Sequence, residues 1–96
     1  MASNRPPPGH FELLYFAAAS DFAGRNTENI PAPIVATDLF GVLEQRYPGI
    51  TEKVLSSCAV TVNLQYVDLE GEDAADKDLI IQEGDEVAII PPVSSG

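Results

Sequence analysis

Residues Gly84 to Gly96 read GDEVAIIPPVSSG, and the fold turns on how they are understood. Gly84 and Asp85 make a turn, and Val87, Ala88, Ile89 and Ile90 follow as an apolar run with no polar parity. A strand with no polar face needs covering on both sides, which places it in the middle of a sheet. Two prolines come next. Neither Pro91 nor Pro92 can donate to a ladder, so the chain is expected to leave the sheet there. It continues through Val93, Ser94, Ser95 and Gly96 as an extended tail over 91–96.

A second strand of the same kind stands near the other end. FELLYF, Phe11 to Phe16, carries apolar and aromatic residues on both parities. Two such strands satisfy each other best as neighbours at the sheet centre. Between them, AAASDFAG offers one or two helical turns closed by Gly24. NIPAPI, with Pro31 and Pro33, allows only an edge strand.

TDLFGVLEQRYPG, from Thr37 to Gly49, predicts the main helix, with Thr37 as N-cap, Asp38 in the first turn and Pro48-Gly49 as terminator. Leu39, Val42, Leu43 and Tyr47 recur at helical spacing and ask for a sheet to cover. AVTVNLQYV predicts a further strand with Val60, Val62 and Leu64 on one face and a turn starting at Gln65. The acidic stretch Asp68 to Asp78 has little to bury and its charges repel, so a solvated loop is expected rather than a calcium or magnesium site.

Composition bounds the function. Ninety-six residues make one small domain, and 45% hydrophobic content with 21% charged residues is globular. Residues 1–10, with three successive prolines, read as a loose tail, leaving a domain over 11–90. A net charge of -10 with only five Lys and Arg opposes binding to nucleic acid or an anionic membrane and favours a basic partner. No apolar run approaches a transmembrane helix and no signal peptide is evident, so a cytoplasmic protein is expected. One cysteine, Cys58, forms no internal disulfide and alone builds no zinc or iron–sulfur site. It is expected to be buried and inert, and His10 is assigned no role.

A helix laid across one face of a mixed sheet of about five strands, with the end strands adjacent, answers all these stripes. That is an α+β arrangement of the β-grasp, or ubiquitin-like, kind. Such a fold hosts many functions and by itself selects none.

The stretches LLYFAAASDFAG, VNLQYVD and above all EGDEVAIIPPVSSG resemble the small subunits of molybdopterin synthase, a family of ubiquitin-like sulfur carriers. The likeness spans Phe11 to Gly96. It implies that the Gly96 carboxylate is adenylated by an E1-like activating enzyme and converted to a thiocarboxylate, so that AMP and sulfur are transient cargo and no cofactor or metal is bound permanently. It further implies that the tail enters a large catalytic subunit, where sulfur passes to cyclic pyranopterin monophosphate. Two small and two large subunits would form the assembly, and the carrier would not be catalytic alone. Phe16 and Ile90 are the residues expected at that interface, with Pro91, Pro92, Val93, Ser94 and Ser95 as the inserted tail.

The residues suit that chemistry. A carboxylate is a poor electrophile and needs activation before sulfur can replace oxygen. Pro91-Pro92 favours a stiff exit, the small residues after it are slim, and six residues reach roughly 20 Å. The sequence departs from the family at Ser95, where a glycine is usual, and at Ser20-Asp21, where an Arg-Glu pair is common. Two other readings stay open: a related carrier serving thiamine synthesis, tRNA thiolation or protein modification, and a β-grasp interaction module without chemistry.

Overall fold

A computed structural model of the chain describes residues 6–69 and 73–91. Strand β1, His10–Tyr15, opens the fold and turns at Ala17 into helix α1, Ala18–Ala23. Gly24, in the left-handed region at φ 75°, closes that helix by donating its N–H to Ser20 O, and β2, Thr27–Pro31, returns antiparallel to β1. A two-residue strand β3, Ile34–Val35, and a 3-10 turn at Ala36–Asp38 lead into α2, Leu39–Arg46. A short helix α3, Ile50–Lys53, follows, then β4, Ala59–Val62, and β5, Gln65–Val67. The chain ends its sheet with β6, Ile80–Ile81, and β7, Glu86–Ile90.

The main sheet has the order β2-β1-β7-β4-β5. β1 and β7 lie side by side in parallel at its centre, with Leu13 opposite Val87 and Tyr15 opposite Ile89. All other pairs are antiparallel. This is the expected mixed five-stranded sheet with helices across one face, and the central pair is the expected one. β2 is the expected edge strand and closes at Pro31. A second sheet of two strands, β3 with β6, was not foreseen.

Burial on β1 alternates. Phe11, Leu13 and Tyr15 are buried, whereas His10, Glu12 and Leu14 are partly exposed. The expectation of cover on both faces therefore fails for β1, because Glu12 keeps its carboxylate toward water. It holds for β7, where Val87, Ala88 and Ile89 are all buried. The core lies between the sheet and the helices, with Leu39 and Leu43 of α2 and Ile50 of α3 fully buried against it. At roughly 25 cal/mol per Å² of apolar area, such side chains each contribute about 1.5–3 kcal/mol.

The main helix differs from its expected form in two ways. Thr37 is not its N-cap but sits inside the 3-10 turn, and Asp38 at the cap position makes no side-chain capping bond. Tightening the first turn to 3-10 geometry is another way to engage orphan backbone groups. At the other end Tyr47 leaves the helix, and Gly49 takes φ 93°, starting α3. Glu44 bridges the two helices by accepting from the N–H of Gly49 at 2.7 Å and of Thr51 at 3.1 Å. Those two bonds hold its carboxyl below the ordinary range.

A carboxylate is buried on the core side of edge strand β2. Glu28 accepts from Tyr15 Oη at 2.7 Å and Tyr47 Oη at 2.7 Å, and its other oxygen pairs with the Arg46 guanidinium. Tyr15 and Tyr47 meet edge to face at 6.2 Å. Among the described residues no helix is long and apolar enough to cross a membrane.

Candidate functional site

Side chains alternate along strands, so the residues between the core positions point to the sheet face that carries no helix. The registers align one row across that open face: Thr27 opposite Leu14, Leu14 opposite Ala88, Ala88 opposite Thr61, and Thr61 opposite Tyr66. Ala88 and Thr61 are buried and small, and form its floor. Tyr66 rises beside them with 69% of its surface exposed.

The next row holds Ile90, which pairs with Ala59. Tyr15 pairs with Ile89, so Phe16 and Ile90 follow at the same end of the two central strands. Phe16 is 44% exposed although it is aromatic, and Ile90 is half-buried. The two expected interface residues are thus brought together. Ala17 turns the chain at φ 51° immediately after Phe16, and a depression of about 330 Å³ there is lined by Phe16, Ser20 and Asp21 among others. Ser20 and Asp21, named above as a departure from the resembled pattern, therefore lie beside Phe16.

Pro91 is half-buried where β7 leaves the sheet. Pro92, Val93, Ser94, Ser95 and Gly96 lie outside the described residues.

At the opposite end of the same face, Glu12 stands directly across from Glu86. Partial burial and the neighbouring Glu86 charge raise the Glu12 carboxyl above its usual range. The face is therefore bipolar, apolar where the tail departs and acidic at its far end. An exposed apolar patch bordered by charge has the make-up of a protein interface, and its acidic end suits basic groups.

Tyr66 escaped the sequence reading. The stretch Ala59 to Val67 is a hairpin rather than one strand, with Asn63 and Leu64 as its two-residue turn at φ 51° and 72°. The expected face of Val60, Val62 and Leu64 is corrected accordingly, since Leu64 is in the turn. Asparagine tolerates such a turn and leucine does not, so Leu64 concealed it. Had the turn been seen, the alternation would have set Tyr66 opposite Thr61. Cys58, expected to be buried, is half-buried, and desolvation pushes its thiol up, away from the reactive thiolate.

The pattern of the ThiS family matches residues 13–96. A Phaeosphaeria nodorum protein named "Molybdopterin synthase sulfur carrier subunit" is 67% identical over 96 residues, the whole of both chains. Among solved structures, a Pyrococcus furiosus protein described as molybdopterin converting factor, subunit 1, superposes with a TM-score of 0.71 at 26% identity, over 88% of this chain and 98% of that one. The fold also matches a chain in the complex of subunits 1 and 2 of the Helicobacter pylori molybdopterin-converting factor, with a TM-score of 0.62 at 22% identity over 91% and 99% of the two chains. A β-grasp sheet whose central strand runs out through Pro91, matched from Leu13 to Gly96, makes this chain a member of the ThiS family.

Proposed function

We propose that this chain is the sulfur-carrying subunit of a molybdopterin-forming synthase, acting in the cytosol and docking through its open sheet face onto a large catalytic subunit. The observation that carries the reading is identity of 67%, end to end, with a relative named as that carrier. The structure supports it by placing the exit of β7 beside the exposed Phe16, on the sheet face that also carries Tyr66 two strands away. Partner and tail site then form one continuous surface.

In this reading the Gly96 carboxylate attacks ATP on an activating enzyme, pyrophosphate leaves, and a glycyl adenylate forms. A donor supplying sulfur at the oxidation level of sulfide displaces AMP and leaves a thiocarboxylate. Activation is needed because an ionised carboxylate resists nucleophiles, whereas AMP is a good leaving group. On the large subunit the thiocarboxylate sulfur bonds to cyclic pyranopterin monophosphate, and water cleaves the resulting acyl–sulfur bond, which leaves the sulfur on the substrate and returns the carrier as a carboxylate. One carrier brings one sulfur, so two carriers on a dimer of large subunits supply the dithiolene.

The chain's own residues position the cargo. Phe16, Tyr66 and Ile90 seat the sheet, Glu12 and Glu86 meet basic groups, and Pro91-Pro92 stiffens the start of the tail. Val93 then contacts the partner, while Ser94 and Ser95 keep the tail slim.

The test incubates the protein with ATP, the activating enzyme and a sulfur donor, followed by intact mass and peptide mapping. One oxygen-to-sulfur exchange on the C-terminal peptide is expected. It should vanish when Gly96 is deleted or an alanine is added after it, and persist in Cys58→Ser. A gain that survives loss of Gly96 but disappears with Cys58 overturns the reading in favour of a thiol-borne persulfide.

A further inference from the structure

The β4–β5 hairpin carries a second unusual feature. A two-residue turn with both positions at positive φ suits asparagine first and glycine second, because a Cβ is crowded in the left-handed region. Here the second position is Leu64, at φ 72°. Its side chain recovers nothing inside the fold, being 84% exposed.

Nor can the turn easily relax. Asn63 is fastened to the start of β7 on three sides: its N–H donates to Glu86 O at 2.7 Å, its Nδ2 to Asp85 Oδ1 at 3.1 Å, and its Oδ1 accepts from Glu86 N at 3.0 Å. A bulky apolar side chain held rigidly outward in an unfavourable backbone state has the character of a preorganised anchor. Beside it lies a groove of about 280 Å³ whose lining includes Val62, Leu79 and Ile80, together with the carboxylates Asp76 and Asp85. Ile80 and Val35, paired across the small sheet, are both exposed. Among the described residues no lysine or arginine lines this groove.

We propose that this pole of the molecule is a second docking surface, which takes a short extended segment of another protein in which apolar side chains alternate with basic ones. The apolar walls and Leu64 receive the apolar side chains, and Asp76 and Asp85 attract the cations. Like charge disfavours a second copy of this chain as the occupant, since each copy brings a net charge of -10 and the same acidic groove. The surface adjoins the acidic end of the open face and shares Tyr66 with it, but lies away from the exit of the tail. Its turn abuts Glu86, whereas β7 ends at Ile90, about 13 Å further along the strand.

The probe is the blocked peptide Lys-Leu-Lys-Leu-Lys, titrated into the isotope-labelled full chain and followed by amide chemical shifts, with Glu-Leu-Glu-Leu-Glu as control. Saturable shifts are expected at residues 63–66, 79–81 and 85 for the basic peptide only. Leu64→Gly should weaken this binding by about tenfold or more, the loss expected for one buried leucine contact. The same variant should unfold at a higher denaturant concentration than the parent, which excludes misfolding as the cause. Shifts centred on Phe16 and Ile90, shifts scattered over the acidic surface and indifferent to Leu64→Gly, or no saturation at millimolar peptide each overturn the proposal.

Discussion

Tyr15 donates its hydroxyl to Glu28 across 2.7 Å, so the edge strand β2 is joined to central strand β1 by side chains as well as by backbone. Tyr47 donates to the same oxygen from the end of α2, and Arg46 pairs with the other. One carboxylate therefore knits the sheet edge to the helix layer.

Its protonation should be visible in the acid limb of stability. Burial alone would raise the Glu28 carboxyl, but the hydrogen bonds from Tyr47, Tyr15 and Arg46 outweigh it and hold it below the ordinary 4.5. A lowered folded pKa gives stability that is full above 4.5 and lost as the pH falls below that value. Glu28→Gln should cost about 1–3 kcal/mol at neutral pH and flatten the acid limb, measured by urea midpoints from pH 7 downward. Glu12 runs the other way: its raised carboxyl lowers stability at neutral pH and regains it on protonation. Glu12→Gln should therefore stabilise the protein at pH 7 and steepen its acid loss.

Leu43 is fully buried under the sheet. Leu43→Ala should cost about 2–5 kcal/mol through lost transfer energy and the cavity left behind. Chemical denaturation measures it, and an unchanged midpoint would remove α2 from the core.

Phe16 and Ile90 hold the apolar end of the open face. If that face seats the large subunit, Phe16→Asp and Ile90→Asp should each cost at least about 2 kcal/mol in calorimetry while leaving the far-ultraviolet circular dichroism intact. Tyr66→Asp should follow them, and so should Val93→Asp on the tail. Parent affinity in all four variants would place the partner elsewhere.

Leu64→Gly should raise stability by about 1 kcal/mol, since glycine accepts φ 72° without crowding. The denaturant midpoint checks it independently of any ligand. A lower midpoint would mean that the leucine contributes to the fold.

Much of this was legible because particular residues permit few alternatives. Val87 to Ile90 and Phe11 to Tyr15 lack a clean polar parity, which forced them together at the sheet centre, and Pro31 confined β2 to an edge. Gly24 marked the end of α1. Other features had no local signal. The strands Ile34–Val35 and Ile80–Ile81 are too short for any periodicity. Glu28 reads as an ordinary surface charge, because its partners Tyr15, Arg46 and Tyr47 come from distant segments. On the open face, the positions of Phe16 and Ile90 at adjacent strand ends were legible, whereas that of Tyr66 depended on a turn that Leu64 disguised.

The parallel pairing of β1 with β7 has a consequence for how the molecule comes into being. Its two strands lie near opposite ends of the chain, so their contacts have close to the largest sequence separation available. Loops of that length close late and slowly. β1 emerges first from the ribosome yet waits for β7 before the sheet has a centre. Only β2 is available to it in the meantime. Completion of the fold is thereby tied to synthesis of the strand that bears the tail. A chain broken off within β7 lacks the tail and the centre of its sheet, and is expected to fall to proteolysis rather than to compete as a folded but empty carrier.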